Sequence, residues 1–367
     1  MFFEYRNTGY FIYRIQPNDT IYKLANNLGT TINSIITANP EIEIYNLAIG
    51  QEIIIPTGNI VNTNTNYTSE ILNENIMSLK TVFPFLEIGE IGRSALNKPI
   101  PYIRIGNGPN EVFYNGAFHA NEWITSPILM RFIEQYCETI VNNRNIYGYN
   151  ARNLFYDTSL YVVPMVNPDG VDLVTGGLNN VENAYQKVQQ IANNFPNIPF
   201  PNGWKANING VDLNLQFPAG WENAREIKFA QGFNKPAPRD FVGYGPLTEP
   251  ESLAVYNFTL AHNFKIVIAY HTQGEEIYWK FQNFNPLMSE YIGRQFEQSS
   301  GYLLADTPYN SSFAGYKDWF IQDYNKPGYT IEAGLGINPL PISQFGSIYQ
   351  KNIGILILGL VNSLNIF

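Results

Sequence analysis

FYNGAFHANEWIT, residues 113–125, changes character in its middle. The first half is apolar and β-prone. The second half opens NEWITSPILMRFIEQYCETIVNN, whose apolar residues recur at helical spacing. His119 stands at the junction and Glu122 follows it three positions later. Two readings are open: an ordinary strand-to-helix turn, or a corner that offers an imidazole and a carboxylate to one metal ion. The flanking sequence decides the fold class. From about residue 68 to the end, β-prone runs (EVFYNGAF, SLYVVPMV, FKIVIAY, PGYTIE) alternate with helical runs such as EPESLAVYNFTLAHNF. This alternation predicts an α/β domain over 68–367, with a largely buried sheet covered by helices.

Three polar residues close such runs. The chain has three histidines, His119, His262 and His271. His119 and His271 each end a β-prone run, as does Glu332, and sites in open α/β sheets assemble at the carboxyl ends of strands. A catalytic zinc takes about three protein ligands and leaves a position for water, and two His with one carboxylate is a standard set. Glu122, on the first helical turn, reaches back toward a metal held by His119, and His271 arrives from a separate strand. Such a metal polarises a carbonyl and acidifies its water. Glu332 is then placed to take the proton and hand it to a leaving amine. His262, in LAHNF within a helical run, reads as structural.

Composition narrows the partners. The 367 residues suit one large domain with an appendage, and 45% hydrophobic content supplies the core. The net charge of −9, with no basic stripe, argues against nucleic acid or an anionic membrane surface. Cys137 is the one cysteine, which excludes an intrachain disulfide or a multi-Cys metal site, and it reads as a buried free thiol. The opening residues MFFEYRNTGYFIYRIQPNDT lack the basic, apolar and small-residue regions of a signal peptide. The tail ILILGLV is too short to span a membrane.

Residues 11–56 read as a separate β-α-α-β unit. FIYRIQ is a strand, and IYKLANNLG is a helix closed by Gly29. INSIITAN is a helix capped by Thr30 or Thr31, and GQEIIIP is a turn and strand. The pattern Y-x-I-x-x-N-D-T-I-Y-x-L-A at its front and GQEIIIP at its back resembles the LysM module, a family that binds N-acetylglucosamine-containing glycans such as peptidoglycan or chitin. The resemblance implies a glycan groove between the first strand–helix loop, Asn18, Asp19 and Thr20, and the loop at 38–41 that holds Pro40. A ligand-free appendage is the competing reading. Residues 57–67, TGNIVNTNTNY, are polar and aperiodic and read as a linker.

Residues 68–367 carry a second resemblance. His119-Ala-Asn-Glu122-Trp, Asn167-Pro-Asp-Gly170, Asp212-Leu-Asn214, His271 and Glu332 resemble, in motif and order, the zinc carboxypeptidase family. The resemblance implies an α/β/α fold around a mixed sheet, one zinc ion and peptide hydrolysis. It makes His119, Glu122 and His271 zinc ligands, Glu332 the general base, Asp212 the carboxylate that orients a zinc-bound histidine, and Asn214 a substrate contact.

Two departures matter. The family's exopeptidases follow the equivalent of Asn214 with an Arg that clamps a C-terminal carboxylate, and Leu215 stands here instead. Leu cannot make that bidentate, charge-assisted pair. The Trp-Arg pair that serves the oxyanion appears as Trp204-Lys205, and Lys205 still supplies a positive charge. With the LysM-like module and DLNLQFPAGW, these departures are similar to the bacterial γ-D-glutamyl-L-diamino acid endopeptidase branch, which cuts peptidoglycan stem peptides. Lys317, in AGYKDW, lies where the family sets its specificity pocket; it pairs with a diaminopimelate carboxylate or is a solvated surface lysine. Tyr309 or Tyr316 falls near the family's mobile substrate-capping tyrosine.

The resemblance thus implies peptidoglycan glycan strands and stem peptides as partners. The site of action is the cell wall or outside the cell, with release at lysis of a sporulating mother cell or action on recycled fragments as alternative routes. A broad metallocarboxypeptidase acting on protein C-termini and a non-catalytic peptidoglycan-binding protein are the competing functions.

Overall fold

The computed structural model of this chain describes residues 9–178 and 182–366. Near the N-terminus, strand β1 (Tyr10–Arg14) pairs antiparallel with β2 (Glu52–Pro56). Thr20 starts the helix Ile21–Asn27 by accepting a hydrogen bond from the Lys23 N–H, and Thr31 does the same for Ile32–Ala38 through the Ser34 N–H. Gly29 turns the chain between them at φ +67, a conformation in which a side chain would be strained. Ile15, Leu24, Ile35, Ile53 and Ile55 form a small core. In the first loop Asp19 is occupied locally, accepting from the Tyr13 hydroxyl at 2.8 Å and the Gln16 N–H at 2.7 Å. Asn18 and Pro40 are exposed.

A core of that size is marginal alone, and the segment after it is no loose tether. Ile60, Val61 and Tyr67, within the expected linker, are buried. The carboxylate of Glu134, in the helix Thr125–Val141, accepts from the Ile60 N–H at 2.6 Å and the Val61 N–H at 3.2 Å. Arg131 balances its charge at 2.6 Å. The Thr31 hydroxyl donates to Asn142 Oδ1 at 2.8 Å, fastening the small unit to the end of the same helix. The Asn/Thr-rich composition hid this docking, because a few apolar residues among many polar ones give no period. Glu134→Ala strands two buried N–H groups and a cation and is expected to cost about 2–4 kcal/mol. The check is the denaturation midpoint together with protease cleavage within 57–67; an unchanged midpoint removes the clamp.

The larger unit is built on an eight-stranded sheet. Its strands are β3 (Glu87–Arg93), β4 (Pro99–Ile105), β5 (Asn110–Gly116), β8 (Thr158–Val163), β9 (Ile266–His271), β10 (Glu276–Tyr278), β11 (Leu303–Ala305) and β12 (Gly328–Glu332), while β6 (Asn145–Ile146) and β7 (Tyr149–Asn150) form a separate hairpin. The spatial order is β11-β10-β12-β9-β5-β8-β4-β3. The central strands β12, β9, β5 and β8 run parallel, and antiparallel pairs occur toward the edges, giving the mixed sheet the sequence led us to expect.

Strand alternation builds the layers. Val112, Tyr114, Ile266 and Ile268 face the helices Thr125–Val141, Ser289–Ser300 and Phe345–Ser363. Phe113, Val267 and Ala269 face Trp221–Ala230, Pro250–Leu260 and Tyr316–Tyr324. The result is an α/β/α sandwich. His262, expected within a helix, lies just past the end of Pro250–Leu260. It packs among Tyr161, Phe258 and Phe264, with Nδ1 at 3.2 Å from Glu111, which suits a structural role. Cys137 is buried and free. No helix among the described residues is long and apolar enough to cross a membrane.

Candidate active site

Because β5, β9 and β12 are parallel neighbours, their carboxyl ends open on one cleft. His271 closes β9, and Glu332 closes β12 in register with it. β5 stops at Gly116; the chain turns at Ala117, φ +51, and reaches His119 beyond the strand rather than at its end. Glu122 likewise departs from expectation. It closes a separate 3₁₀ turn, Ala120–Glu122, and the long helix begins only at Thr125. The tighter turn bonds the Glu122 N–H back to the His119 carbonyl at 3.1 Å and folds the carboxylate under the imidazole.

The N-P-D-G motif props this turn. Asn167 caps the helix Pro168–Thr175, and its amide donates to the carbonyls of Phe118 and Ala206, both at 3.1 Å. Those residues adjoin His119 and Lys205. Gly170 is required by close approach, since a Cβ there would sit 2.8 Å from that of Ala120.

His119, Glu122 and His271 converge, with one ligand atom from each lying within 4.8 Å of the others. Glu122 Oε1 is 3.0 Å from His119 Nδ1, and Oε2 is 2.9 Å from His271 Nδ1. The two Nδ1 atoms are 3.2 Å apart. All three residues are buried. Burial penalises the charged imidazole of His119, but the Glu122 and Asp212 carboxylates outweigh it and bring its pKa to about 9. Burial holds His271 below the ordinary value.

The donor set itself tests whether a metal fits. Two ring nitrogens and a carboxylate aimed at one another in a buried place make a poor hydrogen-bond set and a good tetrahedral-metal set. The far side of His119 agrees: its Nε2 donates to Asp212 Oδ1 at 3.0 Å, which leaves Nδ1 facing inward, where a metal would take the place of its proton. His119, although it raises the question of burial cost, is thereby held by the ion-pair partner Asp212, whose carboxyl lies well below the usual range despite burial. Asn214 Nδ2 approaches His271 Nε2 at 3.4 Å, with the amide oriented by accepting from the Tyr316 N–H at 3.0 Å.

The cleft around this cluster encloses about 930 Å³. Glu332 and Lys205 both line it. The Lys205 ammonium is 3.5 Å from Glu122 Oε1, and nearby carboxylates hold its pKa up against the effect of burial. Burial and the charge of Glu122 push Glu332 up to about 8. Asn214 and Leu215 line the cleft, Leu215 with 8% of its surface exposed.

Lys317 also lines the cleft, but as a buried residue rather than a surface lysine. Its ammonium donates to the Lys280 carbonyl at 2.8 Å and pairs with Asp318 at 2.5 Å. The two tyrosines separate cleanly. Tyr309 is exposed beside cleft-lining Pro308. Tyr316 is fully buried among Phe113, Phe118 and Phe217, with its hydroxyl 3.1 Å from Thr259, so its ring cannot cap a substrate. Apolar neighbours far away in sequence took that ring into the core.

Sequence reasoning missed Asn338 and Arg239. Asn338 donates to the Thr272 carbonyl at 2.9 Å and lies 3.5 Å from Glu122 Oε1. Arg239 lines the cleft on a segment with no motif of its own. Neither carries a sequence signal, because both reach the site only through loop packing.

The zinc carboxypeptidase family profile matches residues 72–353, and the LysM domain profile matches 13–56. The chain belongs to the zinc carboxypeptidase family. Within that family it is 46% identical over 304 residues to gamma-D-glutamyl-L-diamino acid endopeptidase 1 of Lysinibacillus sphaericus, covering 83% of this chain and 74% of that one. Among solved structures, bovine thrombin-activatable fibrinolysis inhibitor in complex with tick carboxypeptidase inhibitor shares the fold, with TM-score 0.61, 17% identity, and coverage of 83% of this chain and 99% of that one. Carboxypeptidase A from Helicoverpa armigera does so at TM-score 0.61 and 14% identity, covering 98% of each chain. The chain is thus a zinc metallopeptidase with an N-terminal LysM domain, and the His119–Glu122–His271 cluster suits the family's single zinc ion.

Proposed function

We propose that this peptidase hydrolyses the γ-D-glutamyl–diamino acid bond of peptidoglycan stem peptides, with meso-diaminopimelate as the diamino acid, and that its LysM domain holds it on glycan strands. The observation that carries the substrate reading is Leu215, an apolar residue in the cleft where protein-digesting relatives place their carboxylate clamp. The 46% identity to a peptidase named for this bond supports the same choice.

In this reading His119, Glu122 and His271 would hold the zinc, which would supply Lewis-acid polarisation to the scissile carbonyl and to the attacking water. Glu332, which lines the cleft, takes a proton from the attacking water and returns it to the leaving amine. Lys205, a cation beside Glu122, faces the charge that develops on the carbonyl oxygen. Asn214 and Tyr309 contact substrate. Lys317 offers a desolvated ammonium to a diaminopimelate carboxylate, shared with Asp318. Asn18, Asp19, Thr20 and Pro40 line the glycan groove, where Thr20 and Asp19 fix the loop and Asn18 and Pro40 present it. Tethering to polymer raises the effective concentration of stem peptides at the cleft.

The test is mass spectrometry of products from diaminopimelate-containing muropeptides, with and without a chelator. Chelator-sensitive release of a diaminopimelate fragment is expected. Intact muropeptides from zinc-loaded protein would sink the substrate assignment and redirect attention to protein C-termini. Leu215→Arg is expected to raise activity on ordinary C-terminal peptides by about tenfold or more, the scale of one charge-assisted pair. No gain would show that the clamp needs other residues as well.

A further inference from the structure

Four cations line the catalytic cleft: Lys205, Lys228, Arg239 and Lys317. Lys228 pairs with Asp240 at 2.6 Å, and the Lys317 ammonium, assigned above to the diamino acid side of the bond, is shared with Asp318. Lys205 leans on Glu122. Arg239 is different. Its Nε donates to Asp240 Oδ2 at 2.6 Å, while no acceptor among the described residues engages its two terminal nitrogens. Asp240 is itself held from both sides, because its other oxygen takes the Lys228 ammonium and its N–H donates to Asp212 Oδ2 at 3.3 Å. The guanidinium is therefore anchored at its root with its fork open, and the side chain is 43% exposed. This is the geometry that recognises a carboxylate bidentately.

The backbone fixes where the fork stands. The N–H groups of Lys205 and Ala206 both donate to the Pro238 carbonyl, at 2.8 and 2.9 Å, so the residue carrying the fork directly adjoins the Lys205 segment. Lys205 and Arg239 each feel the other side of the site: Arg239 acts on Lys205, and the Glu122 and Asp212 charges act on Arg239. An anion bound by Arg239 would therefore sit in the same cleft as the Lys205 ammonium.

A γ-linked glutamyl residue has such an anion. Its free α-carboxylate is separated from the scissile γ-carbonyl only by a short methylene spacer, whereas an α-linked residue uses that carboxyl in the peptide bond itself. We propose that Arg239 is a specificity residue that binds the free α-carboxylate of the γ-D-glutamyl residue on the acyl side of the bond. This rests on the function proposed above. It makes the peptidase discriminate against stem peptides whose glutamyl α-carboxyl is amidated, since a neutral carboxamide cannot accept the full fork.

The experiment compares L-Ala-γ-D-Glu-meso-diaminopimelate with the same tripeptide carrying the α-carboxamide, using the zinc-loaded full chain and its Arg239→Gln and Arg239→Lys variants, with metal content checked for each. The wild type is expected to favour the carboxylate by about 10²-fold in kcat/KM, the scale of a bidentate charged pair. Arg239→Gln should bring the ratio close to one by losing activity on the carboxylate alone, and Arg239→Lys should restore part of the preference. Equal losses on both substrates, an unchanged ratio in Arg239→Gln, or a wild type that cuts both equally would each overturn the assignment while the bond reading stands. A wild type that cuts neither would overturn the bond reading and this proposal with it.

Discussion

Glu332→Gln leaves a protein that binds zinc at full stoichiometry and hydrolyses its substrate about 10²–10⁴-fold more slowly, the range expected for removal of a general base. The amide keeps the size and the place at the end of β12 but cannot accept the proton. The pH profile makes the prediction sharper. In the metal-free chain, burial and the adjacent Glu122 charge raise Glu332 to about 8. A cation at Glu122 cancels the second of these, so the working pKa falls below that. A base is active only when deprotonated, so kcat/KM of the wild type declines as pH drops through this pKa. The residual activity of Glu332→Gln lacks that acid limb. A variant that keeps both rate and limb would remove Glu332 from the reaction.

His271→Ala has an effect of comparable size by another route. It removes one of the three converging ligands and leaves His119 and Glu122, too few for a stable zinc site. Zinc content after dialysis should fall well below stoichiometric, and activity should drop to that of chelator-treated wild type. Thermal denaturation separates this from misfolding. A ligand that binds only the folded state raises its stability, so added zinc should lift the wild-type midpoint and leave that of His271→Ala in place. Asp212→Asn probes the same site from behind. It keeps the ligands but weakens the partner of His119 Nε2, and zinc affinity should fall about 10–100-fold. Undiminished zinc binding in His271→Ala would mean that the cluster is not the metal site.

Much of this was legible in residue order. The β-α-α-β unit declared itself through Thr caps, a helix-ending glycine and two β-prone runs, all short-range features with a local physical cause. The apolar runs LYVV in β8 and IVIAY in β9 announced a sheet covered on both faces. The corner at His119 and Glu122 was visible because both residues sit within one turn, even though that turn proved to be 3₁₀ and separate from the helix.

What sequence order determined about this protein is therefore what local interactions determine: its two units, its layers, and the chemical identity of the residues at or just past three strand ends. The tertiary structure alone decided the rest. It showed that β12, β9 and β5 are adjacent, which turns three scattered polar residues into one site. It docked the 57–67 segment on Glu134, drew Tyr316 into the core, buried Lys317 and left the fork of Arg239 open in the cleft. Each of these outcomes depends on which distant groups compete for the same space and the same hydrogen bonds. That competition has no period and no spacing along a chain, so only the folded arrangement settles it.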